Sequence, residues 1–284
     1  LKAPRFRYLK PRSLDEALAM LDREGEGARL LAGGQSLVPA LNMRLLSPAA
    51  LIDINGVAEL TGIAEGDGVL RLGALTRHAA LASSPDIARL APLIAQAAPF
   101  IAHAAIRNRG TLGGSLAHAD PAAELPACAV ALDAKFDIAG ARGRRRVKAR
   151  DFFTGIYQTN LAPGEILVAV EIPVSPPARR SVFLELARRQ GDYALCGLAL
   201  AAEIRDGVIA DARAVYFGVG AKPVETANTA LALDGKRPAD GPGAAANALE
   251  AELEPLGDFN ADAAMKRHLA LVLLRRALGR LAAA

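Results

Sequence analysis

Tryptophan is absent from this 284-residue chain, and aromatic side chains amount to eight Phe and four Tyr. The core is therefore expected to rest on Leu, Val, Ile and the 62 alanines, within an apolar fraction of 52%. That is ample at this length for a packed interior and excludes a disordered chain. Two cysteines, Cys128 and Cys196, cannot supply a four-cysteine iron–sulfur or zinc site, nor a disulfide framework. Each lies among small apolar neighbours, in PACAVAL and ALCGLAL, which predicts buried thiols. The histidines His78, His103, His118 and His268 form no i, i+4 pair, so a metal site built from this chain alone is not expected. The longest uncharged segment, between Arg89 and Arg107, is broken by Pro92 and Pro99 and is too short to span a bilayer. The opening LKAPRFRYLKPRS lacks the apolar stretch of a signal peptide, and the expectation is a soluble, cytoplasmic protein with no membrane span. Lys and Arg exceed Asp and Glu by 34 to 30, and the excess gathers at Arg142, Arg144, Arg145, Arg146, Lys148 and Arg150. This reads as a solvated hairpin, with an acidic partner as the alternative, and gives no nucleic-acid footprint. Nucleotide signatures are missing as well. Gly218-Val219-Gly220 runs into Ala221-Lys222-Pro223 rather than G-x-G-x-x-G, and neither a Walker A nor a G-x-S-x-G motif occurs.

Periodicity divides the chain. Ser13 with Glu16 makes a capping box before Leu14, Ala17, Leu18 and Leu21, and Gly25 stops the helix. Short buried strands are expected at 28–32 and 51–54, and Leu37, Leu41 and Leu45 recur every four residues between them. Residues 62–64 and 69–72 flank Glu65-Gly66-Asp67-Gly68, a hairpin signal. Helices are expected from Thr76, over 85–98 and over 122–132, whereas 106–121 shows no clear period. Strands follow at 135–138, 145–148 and 166–172. Pro173, Pro176 and Pro177 mark a boundary. Beyond it, strands at 182–186, 197–204 and 209–219 precede helices opening at Pro223 and covering 244–253 and 261–281.

Two glycine loops carry the chemistry. Ala32-Gly33-Gly34-Gln35-Ser36 follows a strand, and paired glycines allow positive φ, turning successive N–H groups toward one anion. Thr111-Leu112-Gly113-Gly114-Ser115 repeats the device with flanking hydroxyls. Together they suit a ligand with two phosphates, with two unrelated turns as the bland alternative.

The segments AGGQSLVPALNMRL (32–45), IRNRGTLGGSLAHADPAAELP (106–126), GEILVAVEIP (164–173) and RRQGDYALCG (188–197) carry a family resemblance. In order and spacing the chain resembles, along essentially its whole length, the FAD-binding subunit of molybdenum-containing hydroxylases. That group contains the medium subunit of aerobic carbon monoxide dehydrogenase. The resemblance implies an α+β fold. A two-part FAD-binding domain would cover 1–176, with subdomains of about 1–58 and 59–176. A C-terminal domain of three-stranded antiparallel sheet and helical bundle would cover 177–284. It also implies that Ala32, Gly33, Gly34, Gln35 and Ser36, with Thr111, Leu112, Gly113 and Gly114, hold the FAD pyrophosphate, Leu37 and Ser115 being further cofactor-binding residues. His118 and Asp120 join the cofactor-binding set, Glu124 takes the adenosine side, Ile101 and Leu167 line the cofactor, and Tyr193 lies near the flavin ring. On residue chemistry alone Asp120 also reads as a helix cap, Glu124 as a first-turn acid and Tyr193 as an interface aromatic. Relatives carry a lysine near Leu184–Glu185 that this chain lacks.

The implied function is electron transfer, with no side chain here acting on the substrate. A molybdenum large subunit with its molybdopterin cofactor oxidises substrate. [2Fe–2S] clusters of an iron–sulfur small subunit pass electrons to FAD, and an external acceptor removes them. The expected assembly is a heterotrimer doubled into a heterohexamer. Two other readings are a stand-alone flavin reductase of the UDP-N-acetylenolpyruvoylglucosamine reductase type and a non-catalytic assembly module on the same fold. The first needs its own substrate acid with a nearby Ser or Cys, and no convincing pair is found.

Overall fold

The computed structural model describes residues 2–283. The chain opens with β1 (Arg7–Leu9), α1 (Leu14–Glu24), β2 (Ala28–Leu31), α2 (Leu37–Asn42) and β3 (Ala50–Asp53). The Ser13 hydroxyl accepts the Glu16 N–H at 3.1 Å, and the Glu16 carboxylate reaches back to the Arg12 N–H at 2.7 Å, so the cap forms with its return bond one residue early. Both outer strands run parallel to β3, in the order β1-β3-β2. Leu14, Ala17, Ile52 and Val57 close a small core over this sheet. The first glycine loop therefore leaves the carboxyl end of a parallel strand, where α/β units leave room for ligands.

A hairpin of β4 (Ile63–Gly66) and β5 (Val69–Gly73) leads into α3 (His78–Ser83), α4 (Pro85–Leu90) and α5 (Pro92–Ala97). The single helix expected over 85–98 is thus two. Pro92 lacks the N–H that would continue the ladder, and Ala91 leaves helical geometry at φ −140°, ψ 61°. Then come α6 (Ala104–Arg107), α7 (Leu112–His118), α8 (Glu124–Ala131), β6 (Lys135–Gly140), β7 (Gly143–Lys148), α9 (Ala149–Phe152), β8 (Phe153–Gly155), β9 (Gln158–Thr159) and β10 (Ile166–Pro173). The segment 106–121, aperiodic in sequence, contains the second half of α6 and all of α7. Antiparallel strands in the order β4-β5-β10-β6-β7 form the second sheet. Every residue of α8 is buried, because the helix packs against α5 and α9 as well as strands of the last sheet. The basic hairpin is internally paired: Arg144 meets Asp137 at 3.0 Å, Arg145 meets Glu165 at 2.6 Å and Arg146 meets Glu171 at 3.0 Å.

The remaining elements are β11 (Arg179–Leu186), β12 (Cys196–Arg205), β13 (Val208–Phe217), β14 (Val224–Glu225), α10 (Ala227–Leu233), α11 (Pro242–Glu252) and α12 (Ala263–Ala283). The sheet has four strands, β14 adding a two-residue edge that the sequence reading did not include. Alternation along these strands splits them between two cores. Phe183, Ala199, Val215 and Phe217 join the core beneath α5 and α8, whereas Val182, Leu184, Leu198, Leu200 and Tyr216 face α11 and α12. Each fully buried Leu or Phe contributes about 1.5–3 kcal/mol, so the sheet is held from both faces. Among the described residues no helix is long and apolar enough to cross a membrane. Both cysteines are buried.

Candidate functional site

Gly33, Gly34, Gln35 and Ser36 lie outside any helix or strand, and among the described residues no acceptor within the chain takes their four N–H groups. A run of unpaired amides is rare, and at buried Gly33 it is costly unless a ligand completes it. Gly34 takes φ +73°, which turns the loop, while the Gln35 side chain ties back to the Gly33 carbonyl at 2.8 Å. Free successive amides with a positive φ among them are what an anion nest is made from.

The second loop is built differently. The amides from Leu112 to Ser115 are all engaged: Leu112 N–H on the Thr76 carbonyl (2.9 Å), Gly113 on Ala74 (2.8 Å), Ser115 on the Thr111 carbonyl (3.0 Å) and Gly114 on the Thr111 hydroxyl (3.1 Å). Positive φ is not the reason for its glycines. A Cβ on Gly113 would stand 2.5 Å from the Ala74 side chain, and one on Gly33 would stand 2.5 Å from the Arg109 carbonyl and 2.8 Å from the Gly110 Cα. Glycine is required there because backbones approach closely, and Gly33 is where the two loops touch. The two loops are therefore neighbours in space, one open and one packed.

Farther along α7 a second group gathers. The His118 and Tyr157 rings lie 4.8 Å apart, the Tyr157 hydroxyl reaches Asp120 at 3.4 Å, and its N–H meets the Ala119 carbonyl at 3.2 Å. Asp120 accepts the Ala122 N–H at 2.9 Å, an Asx turn rather than a cap on α8. Glu124, 9% exposed at the start of α8, is pushed up to about 7 by burial and then by Asp120. Glu185 reaches about 8 through burial and the Glu124 charge, and its Oε2 has no hydrogen-bond partner among the described residues. Tyr193, 72% exposed, adjoins this group: desolvation on its inner edge, then Asp120 and Glu124, raise its phenol. Ile101 and Leu167 belong to the main core, as does Leu112, while Leu37 is half-buried at the start of α2.

The sequence reading placed both loops and most of the second cluster. It missed Tyr157, Glu185 and two side chains beside the loops, Asn55 and Arg77. Tyr157 left no local signal, since it meets Asp120 across 37 residues. For Glu185 the missing lysine was the hint.

Residues 4–175 match the FAD binding domain in molybdopterin dehydrogenase, and residues 181–281 match the CO dehydrogenase flavoprotein C-terminal domain. Over 282 residues the chain is 36% identical to subunit alpha of the 6-hydroxypseudooxynicotine dehydrogenase complex of Paenarthrobacter nicotinovorans, covering 99% of this chain and 95% of that one. It is 37% identical over 276 residues to the carbon monoxide dehydrogenase medium chain of Hydrogenophaga pseudoflava, covering 97% and 96%. A solved carbon monoxide dehydrogenase from that organism, in a form lacking the Mo-pyranopterin moiety of the molybdenum cofactor, superposes with a TM-score of 0.95. Identity there is 38%, over 98% of each chain. The chain belongs to the oxidoreductase family of FAD-binding subunits of molybdopterin dehydrogenases that includes the carbon monoxide dehydrogenase medium chains.

Proposed function

We propose that this chain is the electron-transfer subunit of its complex, receiving electrons from [2Fe–2S] clusters of a small subunit and delivering them to an external acceptor. A molybdenum large subunit would act on the substrate. One observation carries the reading: four consecutive amides, Gly33 to Ser36, without a partner among the described residues. They fit a pyrophosphate, whose oxygens would accept from all four at once. FAD, when bound, supplies the redox chemistry, and the protein supplies binding, orientation and tuning. The nest would offset phosphate charge without a lysine, with the Arg109–Gly110 backbone that enters the second loop packed against it. The seven residues of α7 rise about 10 Å. That helix leads from the second loop to the cluster of His118, Asp120, Tyr157 and Tyr193, where the flavin end of the cofactor would lie. Relatives of near-equal identity are named for carbon monoxide and for 6-hydroxypseudooxynicotine, so substrate choice is assigned to another subunit.

The test is reconstitution of the purified full chain with FAD. Near-stoichiometric flavin with a protein-bound absorption spectrum is expected. A colourless protein that stays FAD-free would favour the assembly module instead.

A further inference from the structure

The two glycine loops come from different layers, the first leaving β2 and the second entering α7. Two residues that belong to neither loop connect them. Asn55, just past the end of β3, donates its side-chain amide to the carbonyls of Ala32 at 2.9 Å and Leu31 at 3.3 Å. Its Oδ1 accepts from Arg77 Nη2 at 2.7 Å. The other guanidinium nitrogen, Nη1, donates to the Arg109 carbonyl. Asn55 is itself oriented by Asp53, whose Oδ1 takes its backbone N–H at 3.0 Å and its Nδ2 at 2.6 Å. Asp53 in turn accepts the Tyr8 hydroxyl on its second oxygen.

The carbonyls chosen matter. In a planar trans peptide the C=O and the following N–H point in opposite directions. Pinning the Ala32 carbonyl to Asn55 therefore aims the Gly33 N–H away from Asn55 and fixes the first donor of the nest. Pinning the Arg109 carbonyl holds the peptide that abuts Gly33, where the loops touch. We infer that Asn55 and Arg77 form a clamp that sets both the spacing of the two loops and the direction of the nest's first amide. They are positioning residues for the diphosphate of the bound dinucleotide. This rests on the reading of the first loop as the FAD pyrophosphate site.

The experiment uses the full chain with Asn55→Ala, Arg77→Met and the double variant. FAD and ADP affinities are measured by titration calorimetry, alongside the melting temperature of each FAD-free protein. Each single change removes a hydrogen bond to a pinned carbonyl and is expected to weaken both ligands about tenfold. ADP should suffer as much as FAD, since it keeps the diphosphate and lacks only the ribityl-flavin end. The double variant should be no weaker than the worse single, because the residues act in series. FAD-free melting temperatures should stay near wild type, Asn55 being exposed. Unchanged affinities, additive losses in the double variant, or losses matched by a fall in FAD-free melting temperature would overturn the clamp. A wild-type chain that binds neither ligand overturns the site reading and the clamp together. Wild-type binding with indifferent variants overturns the clamp alone.

Discussion

At the scale of single residues, Gly33 is decided by distance rather than by φ. A Cβ there falls 2.5 Å from the Arg109 carbonyl, so Gly33→Val must push the loops apart. Overpacking of this kind costs about 1–3 kcal/mol, which a chain of this size survives folded. The same displacement spoils the nest, and each ~1.4 kcal/mol lost there is tenfold in affinity. The variant is expected to purify folded but flavin-free, checked by absorption and thermal melting. Stoichiometric flavin would refute the loop assignment. The buried acids set a pH dependence. Glu124 at about 7 and Glu185 at about 8 sit above the ordinary 4.5. Between that value and about 8 the folded, FAD-free chain holds protons that the unfolded chain has released. Its stability therefore falls as pH rises through this window and levels off above it. Glu185→Gln removes one such group and relieves Glu124. Its FAD-free melting temperature should exceed wild type near pH 8.5, with the gain vanishing near pH 4.5. Coincident curves across that range would sink the pairing.

At the scale of elements, much was legible and the exceptions have physical causes. Strands 166–172 and 197–204 show as apolar runs, and Asp206-Gly207 marks the turn from the second of them into β13. The second loop hid α7 because Gly113 and Gly114 each cost a helix about 1 kcal/mol relative to Ala. Close packing on Ala74 demands the first of them all the same. Similarly, β14 is only two residues long and owes its existence to β13 rather than to its own sequence. Asn55 and Arg77 were illegible for a related reason: only the folded chain brings β3, the start of α3 and residue 109 together. Thr111 caps α7 through the Gly114 N–H, directly after the Arg109–Gly110 backbone that abuts Gly33. Thr111→Val keeps the shape and removes the oxygen. Loss of a cap is worth about 1 kcal/mol, so the FAD-free melting temperature should fall by a few degrees and FAD affinity should fall with it. Thr111→Ser should restore both. A valine variant equal to wild type in both measurements would show the hydroxyl to be idle.

At the scale of the whole molecule the proposed role calls for partners. Two buried cysteines, their thiols raised by burial, with Cys196 at about 12, cannot ligate a [2Fe–2S] cluster, which needs four ligands. In the proposed role, a flavin held by this chain receives its electrons from clusters carried by a partner. The basic hairpin is a weaker docking face than its composition suggested, because its arginines already meet Asp137, Glu165 and Glu171. The expected contact surface shifts toward the exposed Tyr193 and the neighbouring segment 188–193, beside the acid–aromatic cluster. Purified alone, the chain should bind FAD and show no substrate-dependent dye reduction. Co-expressed with its two partner subunits, it should elute as a complex carrying iron, molybdenum and flavin, with the mass of a doubled heterotrimer. Size-exclusion chromatography with metal analysis checks this. Arg189→Glu with Asp192→Arg should weaken co-elution while leaving FAD content intact, since neither residue belongs to the nest. Dye reduction by the chain alone, free of iron and molybdenum, would refute the subunit reading outright, because the electrons would then have entered the flavin without any cluster.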